Sequence, residues 1–295
     1  MSTFVLLTLT GLGLAALYFL VASGLALVFG LADVLNFAHG LFLSVGAYGT
    51  WWAAEHVPGA GPSGWGFALA VLFGVVCGTV VAALVELVLI RPLYRRTIEQ
   101  VLVTVGLSLA GVALLQATWG SDPKPYPRPQ WTQQLTTIAG ARVPNDRFLL
   151  IGAAVAVLVG LLALLKYTRI GLVIRAGVED RSMVTALGID VRRAFTLVFA
   201  VGGAAAALAG ALGGVYTGAI SPTGGSSLLI FGFIVVVIGG MGSVTGAAYA
   251  AVAVGLLQQF VNYTSSGLGD ICVVALLAVV LLVRPQGITG KVATS

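Results

Sequence analysis

The segment Leu35–Gly40, LNFAHG, is the first place in this chain where side chains able to do chemistry meet an apolar setting. Asn36 offers an amide that donates and accepts hydrogen bonds, and His39 offers an imidazole that titrates near neutral pH. Phe37 stands between them, and Gly40 frees the backbone that follows. Polar groups beside hydrocarbon face a cavity or the interior of a helix bundle, because leaving them unpaired there is costly. Two readings stand: a structural histidine that caps a helix, or a polar patch beside a permeation pathway.

A second concentration of polar residues is the stretch 166–195, KYTRIGLVIRAGVEDRSMVTALGIDVRRAF. It holds Lys166, Arg169, Arg175, Arg181, Arg192 and Arg193, six of the fifteen basic residues, with Glu179, Asp180 and Asp190. Within it, Val178–Leu187 is expected to form a short helix. Glu179 and Asp180 stand in its first turn, at the positive end of the helix dipole. Gly188 suits the left-handed position past its end, where Ile189 folds back on Val184. Met183, Val184 and Leu187 form one face; Asp180, Arg181 and Thr185 form the other, with Ala186 alongside. A helix of about ten residues is unstable alone in water. It is either part of a solvated loop or a contact surface for a soluble partner.

A third cluster, Gly239, Gly240 and Gly242 in IGGMGSVTGA, superficially resembles a nucleotide-binding glycine loop. The last glycine falls at 246 instead of 245 and no strand precedes it, so a tight turn or helix break is expected, with a pore-side role open. No GxxxxGK[ST], HExxH, GxSxG or paired-cysteine metal motif occurs. The sequence therefore offers no P-loop for ATP hydrolysis and no support for a protease or hydrolase. The carboxylates within or beside apolar runs, Asp33, Glu55, Glu86 and Asp270, lie mostly toward run ends. A proton- or sodium-coupled carrier is expected to hold them near the midplane. Active transport would need another energy source.

The elements that must position these residues are apolar runs. Of 295 residues 59% are hydrophobic and 8% charged, with a mean hydropathy of +1.05, which excludes an ordinary soluble domain. Spans are expected at about 3–29, 40–56, 64–90, 99–119, 148–166, 194–217, 228–241, 244–263 and 267–283. The run near 228 is short for a full crossing, so eight or nine crossings are expected. The N-terminal run lacks a basic leader and is expected to be a retained first span. The net charge of +5 lies in loops between spans, which argues for membrane topology and against nucleic-acid binding. Cys77 and Cys272 sit inside spans, so no disulfide framework is implied.

Arg91, Arg95 and Arg96, the stretch 167–193, and Arg284 with Lys291 mark one side as cytoplasmic. The proline-rich loop at about 120–147 is then external, despite its four basic residues, and the C-terminus cytoplasmic. Glycine, at 40 residues, recurs at helix-packing spacing: Gly74 with Gly78, and Gly202, Ala206, Gly210, Gly214 and Gly218. That stripe serves packing within one bundle or a subunit interface.

Taken in order, LNFAHG, AGVEDRSMVTALGIDVRRAFTLVFAVGGAAAALAGALGG, IGGMGSVTGA and LLVRPQGITGK resemble the high-affinity branched-chain amino-acid ABC transporter permeases, specifically the LivH-type subunit. The resemblance spans nearly the whole chain. It implies an all-α polytopic membrane protein with a short cytoplasmic coupling helix, forming one permease domain over 1–295. It also implies a LivM-type second permease, two cytoplasmic ABC ATPase subunits that bind the ATP, and a periplasmic substrate-binding protein, in a bacterial inner membrane. By resemblance, Glu179, Asp180, Arg181, Ala186, Leu187, Gly188 and Ile189 fall on the loop that docks the ATPase. Asn36, Phe37, His39 and Gly40 fall on the family's NFAHG signature, beside the pathway. Leu41 departs from the acidic residue often found next in the family. The function so implied is ATP-driven import of branched-chain amino acids by alternating access, by a chain that is not itself an enzyme and holds no cofactor or metal. A permease for urea or short amides, a self-sufficient channel for a small neutral solute, and a non-transporting scaffold are the alternatives.

Overall fold

The computed structural model describes residues 2–32, 36–94, 96–179 and 191–289. Eleven α-helices occur among them: α1 (Ser2–Ala32), α2 (His39–His56), α3 (Gly64–Val85), α4 (Thr97–Trp119), α5 (Gln130–Gln133), α6 (Asp146–Tyr167), α7 (Arg169–Glu179), α8 (Val191–Thr217), α9 (Gly224–Gly239), α10 (Val244–Thr264) and α11 (Leu268–Val283). Each of the nine expected spans becomes one helix, and six helices are long and apolar enough to cross a membrane. The protein is an all-α polytopic membrane protein.

Helix α1 is the axle of the bundle. Its sequence is apolar on every side, which suits a helix surrounded by others, and the stretch Leu14–Val28 is buried throughout. Helices α6, α8, α9 and α10 pack around it, while α2 and α3 pack on α8 and on each other. By contrast, α4 and α6 are mostly exposed, as lipid-facing helices are.

The small-residue stripe of α8 packs inside this bundle. Gly202 faces Gly24 of α1, Gly203 faces Ala82 of α3, and Gly210 lies against the Leu43 backbone of α2. Gly46 of α2 and Gly78 of α3 both meet Ala207. A methyl group at any of these positions would enter a neighbour's backbone or side chain. Close backbone approach brings van der Waals contact that lipid cannot replace by a hydrophobic drive.

The ends of the helices define two faces. On one lie the start of α1, the end of α2 and the segment 120–145. That segment holds strand β1 (Lys124–Pro125), α5, and the hairpin of β2 (Leu135–Ile138) and β3 (Ala141–Pro144). The hairpin turns at Ala139 (φ 50°) and Gly140 (φ 81°), the paired positive φ of a type I′ turn. Strand β1 pairs with β4 (Ala219–Ile220), fastening this segment to the end of α8. On the opposite face lie the end of α6, α7, the turn after α9, and the segment following α11, whose Ile288 and Thr289 amides donate to the Ile238 and Gly239 carbonyls (2.9 and 3.2 Å).

One expectation is corrected. Val178 and Glu179 close α7 and do not open a new helix; the remainder, 180–187, lies outside the described residues. The reason is an earlier start signal. The Thr168 hydroxyl accepts from the Gly171 amide (3.0 Å), an N-cap that begins α7 at Arg169. The helix then packs Ile174, Val173 and Ala176 against the core while Leu172 stays exposed.

Gly210→Ala is expected to destabilise the purified protein by about 1–3 kcal/mol, because α8 must move off α2. Gly152→Ala in α6 meets nothing within 4 Å and should be neutral or slightly stabilising. Thermal unfolding in detergent, followed by loss of the monodisperse peak, checks the pair.

Candidate functional site

The NFAHG signature sits deep. His39 opens α2, and its Nε2–H donates to the Val21 carbonyl of α1 (3.2 Å). Val21 is four residues past the midpoint of α1, about 6 Å along its axis. Helix α2 therefore begins near mid-bilayer and runs toward the hairpin face, where Trp51 lies under Lys124 (5.5 Å). The carbonyl can only accept, which fixes the tautomer and leaves Nδ1 as an acceptor. The imidazole is buried against Gly24, at the point where α1 meets Gly202 of α8.

Asn36 precedes this helix and shapes its entry: its Oδ1 accepts from the Ala38 amide (3.0 Å), closing an Asx turn. Both side chains are buried, and no partner among the described residues reaches Asn36 Nδ2 or His39 Nδ1. Phe37 is half-buried and its ring meets Phe233 of α9 (5.1 Å, 45°). Gly40 lies against Gly225 and Leu229, so the start of α2 is seated on the start of α9.

Helix α9 also begins below the membrane surface. The segment Gly218–Thr223 turns inward after β4, and the Ser44 hydroxyl reaches the Pro222 carbonyl (3.4 Å). Ser44 is seven residues inward of Trp51 on α2, about 10 Å. Irregular backbone at such depth is tolerated where it is buried in protein or lines a cavity. A cavity of about 70 Å³ lies here, lined by the hydroxyl-bearing Ser44, Thr217 and Ser221 and by glycines of α8 and α9. The first turn of α9 opens beside it, with no side-chain cap from Thr223. The positive end of a helix dipole and three hydroxyls suit a carboxylate and an ammonium group. The cavity is well below the roughly 300 Å³ of small-molecule pockets, so it does not enclose an amino acid in this state.

The glycine cluster lies elsewhere. Gly239 ends α9, and Gly240 (φ 101°) and Gly242 (φ 86°) form the expected tight turn. Gly239 abuts Gly246 and Gly242 abuts Gly30. Fourteen residues of α9, about 21 Å, separate Gly225 from Gly239, so the two glycine-bearing sites occupy opposite ends of one helix. Of the expected docking residues, Glu179 is the last residue of α7, while Asp180, Arg181, Met183, Val184, Ala186, Leu187, Gly188 and Ile189 lie outside the described residues.

Sequence reasoning passed over Ser44, Ser221 and the Gly218–Gly225 segment. The cluster SPTGGSS at 221–227 carries the mark of an irregular segment, yet only its neighbours in space show that it descends between helices. No group of three or more His, Cys, Asp or Glu able to hold a metal occurs among the described residues.

Comparison with known proteins agrees with this architecture. Residues 7–283 match the family described as "Branched-chain amino acid transport system / permease component". The high-affinity branched-chain amino acid transport system permease protein LivH of Escherichia coli K12 is 30% identical over 291 residues, covering 95% of this chain and 94% of its own. Its counterpart BraD of Pseudomonas aeruginosa is 27% identical over 288 residues, with 95% and 94% covered. The probable LivH of Methanocaldococcus jannaschii is 28% identical over 296 residues, with 92% and 88% covered. No solved structure matches the chain at a significant level. With nearly every helix inside the matched region, the chain belongs to the family of branched-chain amino acid transport permease components.

Proposed function

We propose that this chain is one membrane subunit of an ATP-driven importer of branched-chain amino acids. It works beside a LivM-type permease chain, two ATPase subunits that bind the ATP, and a substrate-binding protein. The observation that carries this reading is the family match over residues 7–283, with relatives of the same name along nearly their whole length. The chain itself does no covalent chemistry.

Charge supports one orientation. Arg91, Arg96, Lys166, Arg169, Arg175, Arg192, Arg193 and Arg284 belong to segments on the α7 face, and Arg95, Arg181 and Lys291 adjoin those segments in sequence, eleven of the fifteen basic residues together. The hairpin face has Lys124, Arg128, Arg142 and Arg147, and Arg147 is paired with Asp146 (3.0 Å). An excess of Lys and Arg marks the cytoplasmic side. The α7 face and the C-terminus are therefore cytoplasmic, and the hairpin meets the binding protein outside.

In this reading the segment 179–189 docks the ATPase through Met183, Val184 and Leu187. It joins α7 to α8, so closure of the ATPases on ATP tilts α8. The glycine contacts of α8 leave no slack against α1, α2 and α3, and the tilt passes to them as steric displacement. The place where such a tilt opens space is the cavity between α2, α8 and α9, with NFAHG beneath it. The mature pathway is completed against the second permease chain.

Proteoliposomes holding the complete five-chain system are expected to accumulate labelled leucine only with ATP inside the ATPase compartment and binding protein opposite. ATP-independent flux through this chain alone would instead mark a self-sufficient channel.

Orientation is checked by single cysteines in a background lacking Cys77 and Cys272. Thr137→Cys on the hairpin should react with an impermeant maleimide in spheroplasts, and Arg284→Cys only after lysis.

Leu187→Glu should abolish co-purification of the ATPases while leaving the permease in the membrane. Retained ATPase at wild-type yield would remove 179–189 as the docking segment.

A further inference from the structure

Glu86 has no place in the pathway or the docking segment, yet its side chain is fully buried within the apolar span Gly64–Leu93. Ionisable groups in such a setting are rare and tend to mark function. It stands where α3 changes form: Glu86–Ile90 is a π-helical turn, with the Arg91 amide donating to the Glu86 carbonyl five residues back. Pro92 follows and lacks an amide, so the regular ladder is broken and a wider turn is allowed. The carboxylate spans the gap so formed. Its Oε1 accepts from the Tyr94 hydroxyl and its Oε2 from the Thr196 hydroxyl (2.6 Å). The Tyr94 ring packs on Phe195 (4.5 Å), and the Gln100 amide donates to the Leu93 carbonyl, so the whole α3–α4 corner is held together.

Thr196 lies in the second turn of α8, six residues beyond the end of 180–190. We infer that Glu86 is a positioning residue that couples the first turns of α8 to the π-turn of α3, so that movement of the 179–189 segment drives the α3–α4 corner as well as α8. This rests on the reading of the chain as the subunit of an ATPase-driven importer. The π-turn supplies an element with an alternative hydrogen-bond register, and the carboxylate is the link that both sides share. Without that link, movement of α8 still reaches the body of α3 through their glycine contacts, but the α3–α4 corner loses its polar tie to the first turns of α8 and follows less closely.

The test uses the complete importer in proteoliposomes, scoring leucine accumulated per ATP hydrolysed. Glu86→Ala should assemble with its partners and keep hydrolysing ATP, while that ratio falls at least about tenfold, as expected for losing both hydrogen bonds that the carboxyl makes. Thr196→Val should give a smaller fall, Glu86→Gln should restore part of the ratio because its carbonyl still accepts one hydroxyl, and Thr196→Val should cost less in the Glu86→Ala background than it does alone. Uptake and hydrolysis falling in the same proportion, or an unchanged ratio, would overturn the inference. If Glu86→Ala does not assemble, Thr196→Val decides alone: a lowered ratio supports the link and an unchanged ratio overturns it. Wild-type uptake that ignores ATP would overturn the importer reading itself, and it is scored in the same assay before any variant.

Discussion

Everything in this bundle depends on how closely the backbone of α8 can approach three other helices. In lipid, two apolar helices gain nothing from leaving the solvent, so contact area and fit must hold them together. Gly202, Gly203 and Gly210 let α8 touch α1, α3 and α2 in turn, and Gly46 and Gly78 return the approach from the other side. Such a joint is rigid to translation because no long side chain is available to rearrange. A helix that must carry a push from one membrane face to the other benefits from that rigidity.

The second constraint is the hydrogen-bonding demand of backbone inside the membrane. Helices α2 and α9 both start below the surface, reached by irregular segments from opposite faces. Their starts are seated on each other through Gly40, Gly225 and Ser44, so each shields the other's exposed turn. Asn36 closes one entry with an Asx turn, and His39 anchors it to α1. The polar residues of NFAHG thus have a structural duty that is inseparable from their position near mid-bilayer. Discontinuous helices whose first turns point into the bundle are the form that membrane proteins use to meet polar solutes.

Charge distributes according to face and depth. Basic residues gather where α6, α7 and α8 meet, beside the segment expected to receive the ATPases. The buried Glu86 carboxyl is held by two hydroxyls, and Asp270, exposed in the first turn of α11, accepts from the Gln258 amide (2.6 Å), which in turn accepts from Tyr18 (2.7 Å). The Glu86–Thr196 and Tyr18–Gln258 links join helices that are distant in sequence, and each adds a directional tie to an otherwise non-directional apolar pack.

The sequence by itself determined the class and the nine apolar runs that become helices, with their approximate ends, because long apolar runs have one stable fate in a bilayer. It also determined the family, through four motifs in order, and the turn at Gly239–Gly242, because paired glycines before a polar break leave little else. The start of α7 is marked in the sequence by Thr168, ahead of Glu179 and Asp180, the carboxylates on which the later helix start was expected. What only the tertiary structure decided was depth and partnership. Hydropathy cannot tell that α2 begins beside Val21, that the SPTGGSS segment descends to Ser44, or that Glu86 faces Thr196 across 110 residues. Those facts are contacts between helices, and in a membrane the choice of neighbour is made by shape and hydrogen bonding, which a one-dimensional apolar pattern does not encode.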